Sequence, residues 1–206
     1  KKVYFFFQSF IVNAKGTEEN PTNNCNCPWL QSYPFMVRSA FADKAIRDKF
    51  LTPTLHFRYF ERALKKELTQ FMKEKFGIPL AKTRKAIGVA DALQVGFEEA
   101  VKKRGREVMA GLPKDKKALV MLGRPYNTTD PLLNLRLVEK LINLDTLPIP
   151  VDFVPLEDEN IFADYKMMYW PNGQKIMSAS RIVRKTEGLY AVYMSNFRCG
   201  PDSFLT

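Results

Sequence analysis

The sequence predicts an α/β fold of two Rossmann-like three-layer units with mostly parallel sheets, residues 1–110 and 111–206, the second truncated at its C-terminal end. Three observations predict it. Ala118–Gly123 and Leu189–Phe197 are mostly apolar, aromatic or β-branched runs without charge, as expected of strands covered on both faces of a parallel sheet. From Ala118 onward, strand and helix signals alternate as β-α-β-α-β, and right-handed crossovers make such a sheet parallel. Before that stretch, two amphipathic helices follow one another with no strand between them, which marks a change of domain on the second helix or just after it.

In the first unit, Lys2–Val12 reads as one strand, nearly continuously apolar after Val3. Residues 13–26 form a polar, Asn-rich loop with Gly16 and Pro21. Pro28 suits a first helical position, so a helix is predicted from there to about Lys44, kinked at Pro34. The segment KFLTPTLHF is a short strand or irregular connection, because Pro53 disfavours a central strand. From about His56 to Phe76, Phe57, Phe60, Leu64, Leu68 and Phe71 make one stripe at steps of three and four, closed by Gly77 and Pro79. A longer helix over Lys82–Ala110 is expected to turn Ile87, Ala90, Leu93, Phe97, Ala100 and Val101 inward.

The second unit starts with the strand ALVMLG and the loop RPYNTT. Asp130 is an N-cap with Pro131 at the first helical position, and that helix runs to about Asn143. A strand around Ile149–Val154 follows, then a helix from Ile161 to Tyr169, interrupted at Pro171 and resumed from Asn172 to Arg184, and then the strand that begins at Leu189.

With 206 residues, 46% hydrophobic and 26% charged, the composition is that of an ordinary globular protein. No apolar run is long enough to cross a membrane, so no membrane partner is expected. Three cysteines are too few for a disulfide framework, and the odd count fits a reducing, cytoplasmic location. The net charge of +10 fits phosphates of coenzyme A or nucleotide, nucleic acid, or the basic half of a larger protein; the last is favoured. The densest basic run, Lys102–Lys117, covers a helix end and linker, where cations complement the dipole, and no basic motif is interleaved with aromatics, so no nucleic-acid partner is expected.

Two places carry candidate chemistry at strand or helix ends. Cys199 stands in the turn directly after the last strand, where ligands gather in open α/β sheets; a thiol there can bind a metal, act as a nucleophile or pack. Cys25 and Cys27 close the Asn-rich loop, and Cys27 falls at a helix N-terminus, which favours thiolate. A C-x-C pair alone has no zinc-site spacing, and a zinc site from the three cysteines and His56 lacks any paired spacing. The second place is GRPYNTTDP. Here backbone N–H groups at a helix start can receive an anion, with Arg124 as a bidentate clamp and Tyr126 and Asn127 as orienting groups; the alternative is that Arg124 and Asp130 shape the turn. There is neither GxGxxG nor GxxxxGK[ST]. The acidic cluster Asp152, Glu157, Asp158 and Glu159 reads as a solvated loop face.

These segments carry a resemblance. Cys27-Pro28, Tyr33-Pro34, Gly123-Arg124-Pro125-Tyr126-Asn127 with Asp130-Pro131 and Asn134, Tyr169-Trp170 with Gly173-Gln174, and Asn196-Phe197 with Cys199-Gly200-Pro201-Asp202-Ser203-Phe204 are similar to motifs of activase-related proteins of the 2-hydroxyacyl-CoA dehydratase family. The cysteine-containing region resembles the iron-sulfur subunits of the dehydratases themselves. The resemblance implies a [4Fe-4S] cluster in the intact protein, with Cys27 and Cys199 as ligands, bridging the two units; Cys25 either substitutes for an absent upstream thiol or is incidental. It also implies ATP-dependent, low-potential electron transfer to an acyl-CoA dehydratase or reductase. ATP enters only through an actin-like ATPase portion of the same protein or complex, and acyl-CoA is the remaining expected partner. Two alternatives stand beside this reading: a catalytic acyl-CoA dehydratase or reductase subunit, and a non-catalytic scaffold. Related sequences carry a further cysteine in a CFPxKxxHGH-like segment upstream and continue beyond the position of Thr206. The chain is therefore expected to be a fragment, inactive alone and with an incomplete cluster.

Overall fold

The computed structural model describes residues 3–12, 25–56, 63–195 and 199–205, with the side chains of residues 10–12 left aside. Most of the predicted polar loop, Phe57 and Phe60 of the predicted stripe, and Asn196-Phe197 of the last motif lie outside the described residues. The fold is α/β with small parallel sheets. It divides into two compact units, Lys1–Leu93 with Tyr169–Pro171, and Gln94–Met168 with Asn172–Thr206.

In the first unit the predicted single strand is two, β1 (Phe5–Phe6) and β2 (Ser9–Val12). They pair in parallel with β3 (Phe50–Leu51) and β4 (Thr54–His56) respectively. The reason is non-local. Phe6 pairs with Leu51 and Ser9 with Thr54, so Gln8 falls opposite Pro53, whose missing N–H interrupts the ladder. Alternation then distributes the aromatics. Phe7 meets Tyr33 of α1 (Pro28–Ala40) and stacks on Phe50, while Tyr4 and Phe6 meet Phe76 and Phe71 of α3 (Lys65–Phe76) on the other face. Between α1 and β3 lies a short helix, α2 (Lys44–Arg47), capped by Asp43, so the helix predicted to run to Lys44 ends at Ala40. Gly77 closes α3 in the left-handed conformation at φ 66°, as the sequence predicts.

Helix α4 (Leu80–Ala110) begins in the first unit and ends in the second. Of its predicted inward stripe only Ile87 is buried; Leu93 is 70% and Phe97 64% exposed. An amphipathic pattern states which face seeks cover, and the described residues do not supply that cover along this helix. Its carboxyl half is seated by Gly105, where a Cβ would lie 2.6 Å from the carbonyl oxygen of Phe153.

The second unit is a parallel sheet in the order β6-β5-β7, with β5 (Ala118–Gly123) central, β6 (Leu147–Pro150) on one side and β7 (Leu189–Met194) on the other. Val120, Leu122 and Ile149 pack with Ile176, Ala179 and Val183, the inner face of α7 (Pro171–Lys185). Pro150 ends β6, and the residues predicted to prolong it, Val151–Phe153, form a 3-10 turn.

Three further segments depart from expectation. RPYNTT is not a plain loop: α5 (Pro125–Thr129) starts on Pro125. Asp130 does accept from the amides of Leu132 and Leu133, but Leu135 and Arg136 take left-handed dihedrals, so α6 (Leu137–Asn143) starts late. Residues 161–168 make isolated turns in place of the predicted helix. No helix among the described residues is long and apolar enough to cross a membrane.

Candidate functional site

The strand order decides what meets at the sheet's carboxyl edge. The chain leaves β5 for β6 on one side and returns in β7 on the other, so the segments after β5 and β7 emerge side by side. Gly123 and Met194 are register partners, and Gly123 sits at φ 151° with room for no side chain: a Cβ would lie 2.8 Å from the Met194 carbonyl oxygen. This close approach delivers Arg124, extended at φ −73° and ψ 144°, toward the turn that follows β7.

That turn is Cys199 and the short helix α8 (Gly200–Ser203), with Pro201 in its first turn and Cys199 at its N-cap. Ser203 donates through Oγ to the Cys199 carbonyl, and Tyr193 donates through its hydroxyl to the Asp202 carbonyl at 2.9 Å. Asp202 is fully buried and Arg124 is 8% exposed. Arg124 Nε donates to both carboxylate oxygens of Asp202, at 2.9 and 3.1 Å, and Nη2 donates to Oδ1 at 2.8 Å. The same Nη2 reaches the Sγ of Cys199 at 3.5 Å. Burial alone would lower the Arg124 pKa, but the hydrogen bonds and charge of Asp202 outweigh it and hold the guanidinium above its ordinary value. Burial, and then the Asp202 charge, push the Tyr193 phenol up.

Of the predicted site residues, then, the structure brings Arg124 and Cys199 together. Tyr126 lies on α5 and is 45% exposed. Asn127 is half-buried, and its Nδ2 is buried with no hydrogen-bond partner. Cys25 and Cys27 lie in the first unit, both free and partly exposed. Cys27 is the N-cap of α1, as its place before Pro28 predicts, and its carbonyl accepts from the Gln31 amide. The Gln31 side chain donates to the Asn26 carbonyl at 2.6 Å, which fixes the approach to Cys27.

As individual donors the thiols fit a metal centre: each is free and partly exposed, and the Cys199 sulfur lies against the Arg124 guanidinium. As a complete set they do not. Among the described residues no three His, Cys, Asp or Glu side chains gather closely enough to hold a metal ion.

Sequence reasoning missed the role of Asp202. Its signal was present, since Asp202 is the one charge in the CGPDS turn and Arg124 follows directly on a charge-free strand. The partner of His56 was missed as well: Nδ1 lies 2.8 Å from Glu67 Oε1 on α3. The acidic cluster is largely ion-paired. Asp152 pairs with Lys175, Glu157 with Arg106, and Glu159 with Arg181 and Lys185.

Comparison with known families gives one result. The family model described as CoA enzyme activase uncharacterised domain matches residues 1–154, so the match includes Cys25, Cys27 and Arg124 and ends before Cys199 and Asp202. No curated protein and no solved structure gives a match. Matched over most of its length, the chain belongs to the CoA enzyme activase uncharacterised domain family.

Proposed function

We propose that this chain is the cluster-bearing region of a CoA enzyme activase, taking part in ATP-dependent, low-potential electron transfer to an acyl-CoA dehydratase or reductase. Its thiolate ligands are Cys27 and Cys199, with Cys25 as the substitute. The observation that carries the reading is the placement of Cys199. Its sulfur stands at the carboxyl edge of a parallel sheet and accepts a hydrogen bond from a buried guanidinium. A [4Fe-4S] cluster, when bound, supplies a one-electron carrier. The chain's own residues do the rest. Gly123 delivers Arg124, Arg124 and Asp202 lock the turn, and Cys27 presents its sulfur at the positive end of α1. Nucleotide hydrolysis belongs to an actin-like portion of the same protein or complex, consistent with the lack of GxGxxG and GxxxxGK[ST] here.

A second reading, a partner-binding domain without a cluster, is favoured by the lack of a gathered ligand set among the described residues. Anaerobic reconstitution of the intact protein with iron and sulfide separates the two. Stoichiometric uptake of four iron and four sulfide, lost in Cys27→Ala and in Cys199→Ala, is the expected result. Wild-type protein that takes up no stoichiometric iron would leave the partner-binding reading in its place.

A further inference from the structure

We infer that the free edge of β7 pairs with the β7 of a second copy of this chain, joining two three-stranded sheets into one across a two-fold axis. The two edges of the sheet are built differently, and the phase of each ladder decides what its edge presents. The Leu147 amide donates to the Lys117 carbonyl at 2.9 Å, so Leu147 and Ile149 turn their backbone groups to β5 while Pro148 and Pro150 face outward. Neither proline has an N–H to offer, and the β6 edge is closed to a further strand. On the other side the Ala118 amide donates to the Gly188 carbonyl at 3.4 Å, which commits the amides of Tyr190, Val192 and Met194 to β5. The backbone groups of Leu189, Ala191 and Tyr193 face away from the sheet.

Among the described residues β7 pairs with β5 alone. The Leu189 amide donates to the Thr186 carbonyl at 3.4 Å, which leaves the outward N–H groups of Ala191 and Tyr193 to a new partner. Leu189–Met194 contains no proline and no charge, the devices that protect an exposed edge, and both Tyr190 and Ala191 are exposed. A strand that meets its own copy across a two-fold axis must run antiparallel and match itself. This strand does, because its three outward residues are symmetric about Ala191. Ala191 then faces Ala191, Leu189 faces Tyr193, and Tyr190 faces Val192, all apolar or aromatic pairs of the kind that stabilise antiparallel strands. Just beyond the strand Glu187 falls opposite Ser195, so the pairing opposes no like charges.

The test places a charge at the centre of the pair. Ala191 is exposed, so Ala191→Lys and Ala191→Glu keep the single chain folded but set two like charges face to face in the pair. Sedimentation equilibrium of the chain up to millimolar concentration reads association, and circular dichroism checks the fold. The expected result is a wild-type dimer, a dissociation constant raised about tenfold or more in each variant alone, and association restored when the Lys and Glu variants are mixed. Hydrogen exchange at the Ala191 and Tyr193 amides should slow as the wild-type chain dimerises. A wild-type chain that stays monomeric overturns the inference, as do variants that associate like wild type or a mixture that fails to restore association. Dimerisation without slowed exchange at these two amides also overturns it, because the contact then lies on another surface. Unfolding of both variants overturns it as well, since Ala191 would not then stand at a free edge.

Discussion

Asp202→Ala is expected to destabilise the second unit by about 3–5 kcal/mol, the cost of leaving a buried charge without its partner. Asp202 has no exposed surface, and Arg124 has almost none, so water cannot replace the lost carboxylate. Three N–H···O contacts at 2.8–3.1 Å vanish together. Urea unfolding of the variant should show a lower midpoint with an unchanged slope if the native state keeps its compactness. A loss below about 0.5 kcal/mol, the usual size for a surface substitution, would mean that the pair is not buried as described.

Gly123→Ala should come second in size. The backbone there takes φ 151°, which L side chains rarely adopt, and strain of this kind costs on the order of 1–3 kcal/mol. Crowding adds to it. The new Cβ would lie 2.8 Å from the Met194 carbonyl oxygen and 3.2 Å from Thr128 Cγ2, and overpacking of this sort typically adds about 1–3 kcal/mol. The carbonyl cannot simply swing away, because Gly123 and Met194 are paired in the β5–β7 ladder. Any relief moves Arg124, the next residue, off Asp202. Thermal unfolding followed by near-ultraviolet circular dichroism should show both the loss of stability and a changed environment for Tyr193. A variant as stable as wild type would show that β5 and β7 do not approach this closely.

The two charge-free strands, the turn after β7 and the start of α1 were legible as elements because each is written in contiguous residues, but the burial expected of the second strand is not found: β7 lies at the sheet edge and exposes Tyr190 and Ala191. ALVMLG carries its own burial on both faces, and Cys27-Pro28 carries its own helix start. What stayed illegible depends on partners far away in the chain. Arg124 and Asp202 are 78 residues apart, and nothing in GRPYNTTDP distinguishes an arginine that binds a ligand from one that binds its own chain. The interruption between β1 and β2 arises from Pro53 on the opposite strand, not from Phe7 or Gln8. The stripe on α4 is real as a pattern, yet Leu93 and Phe97 show that a pattern does not guarantee cover. The delayed start of α6 follows from Leu135 and Arg136 at φ 52° and 56°, residue types that give no local sign of that conformation. Of the residues that meet after β5 and β7, Arg124 and Cys199 were singled out from sequence, but not the carboxylate of Asp202 that explains the arginine.

The central claim is that the buried Arg124–Asp202 pair holds the Cys199 turn to the end of β5. A double-mutant cycle on Arg124→Met, Asp202→Leu and their combination, read by urea unfolding, tests it most directly. Each single substitution strands one buried charge and should cost about 3–5 kcal/mol, whereas the double variant, with both charges gone, should lose less than either single. A double variant that loses the sum of the two singles would show that the residues act independently, and the account of how Cys199 is held would be wrong.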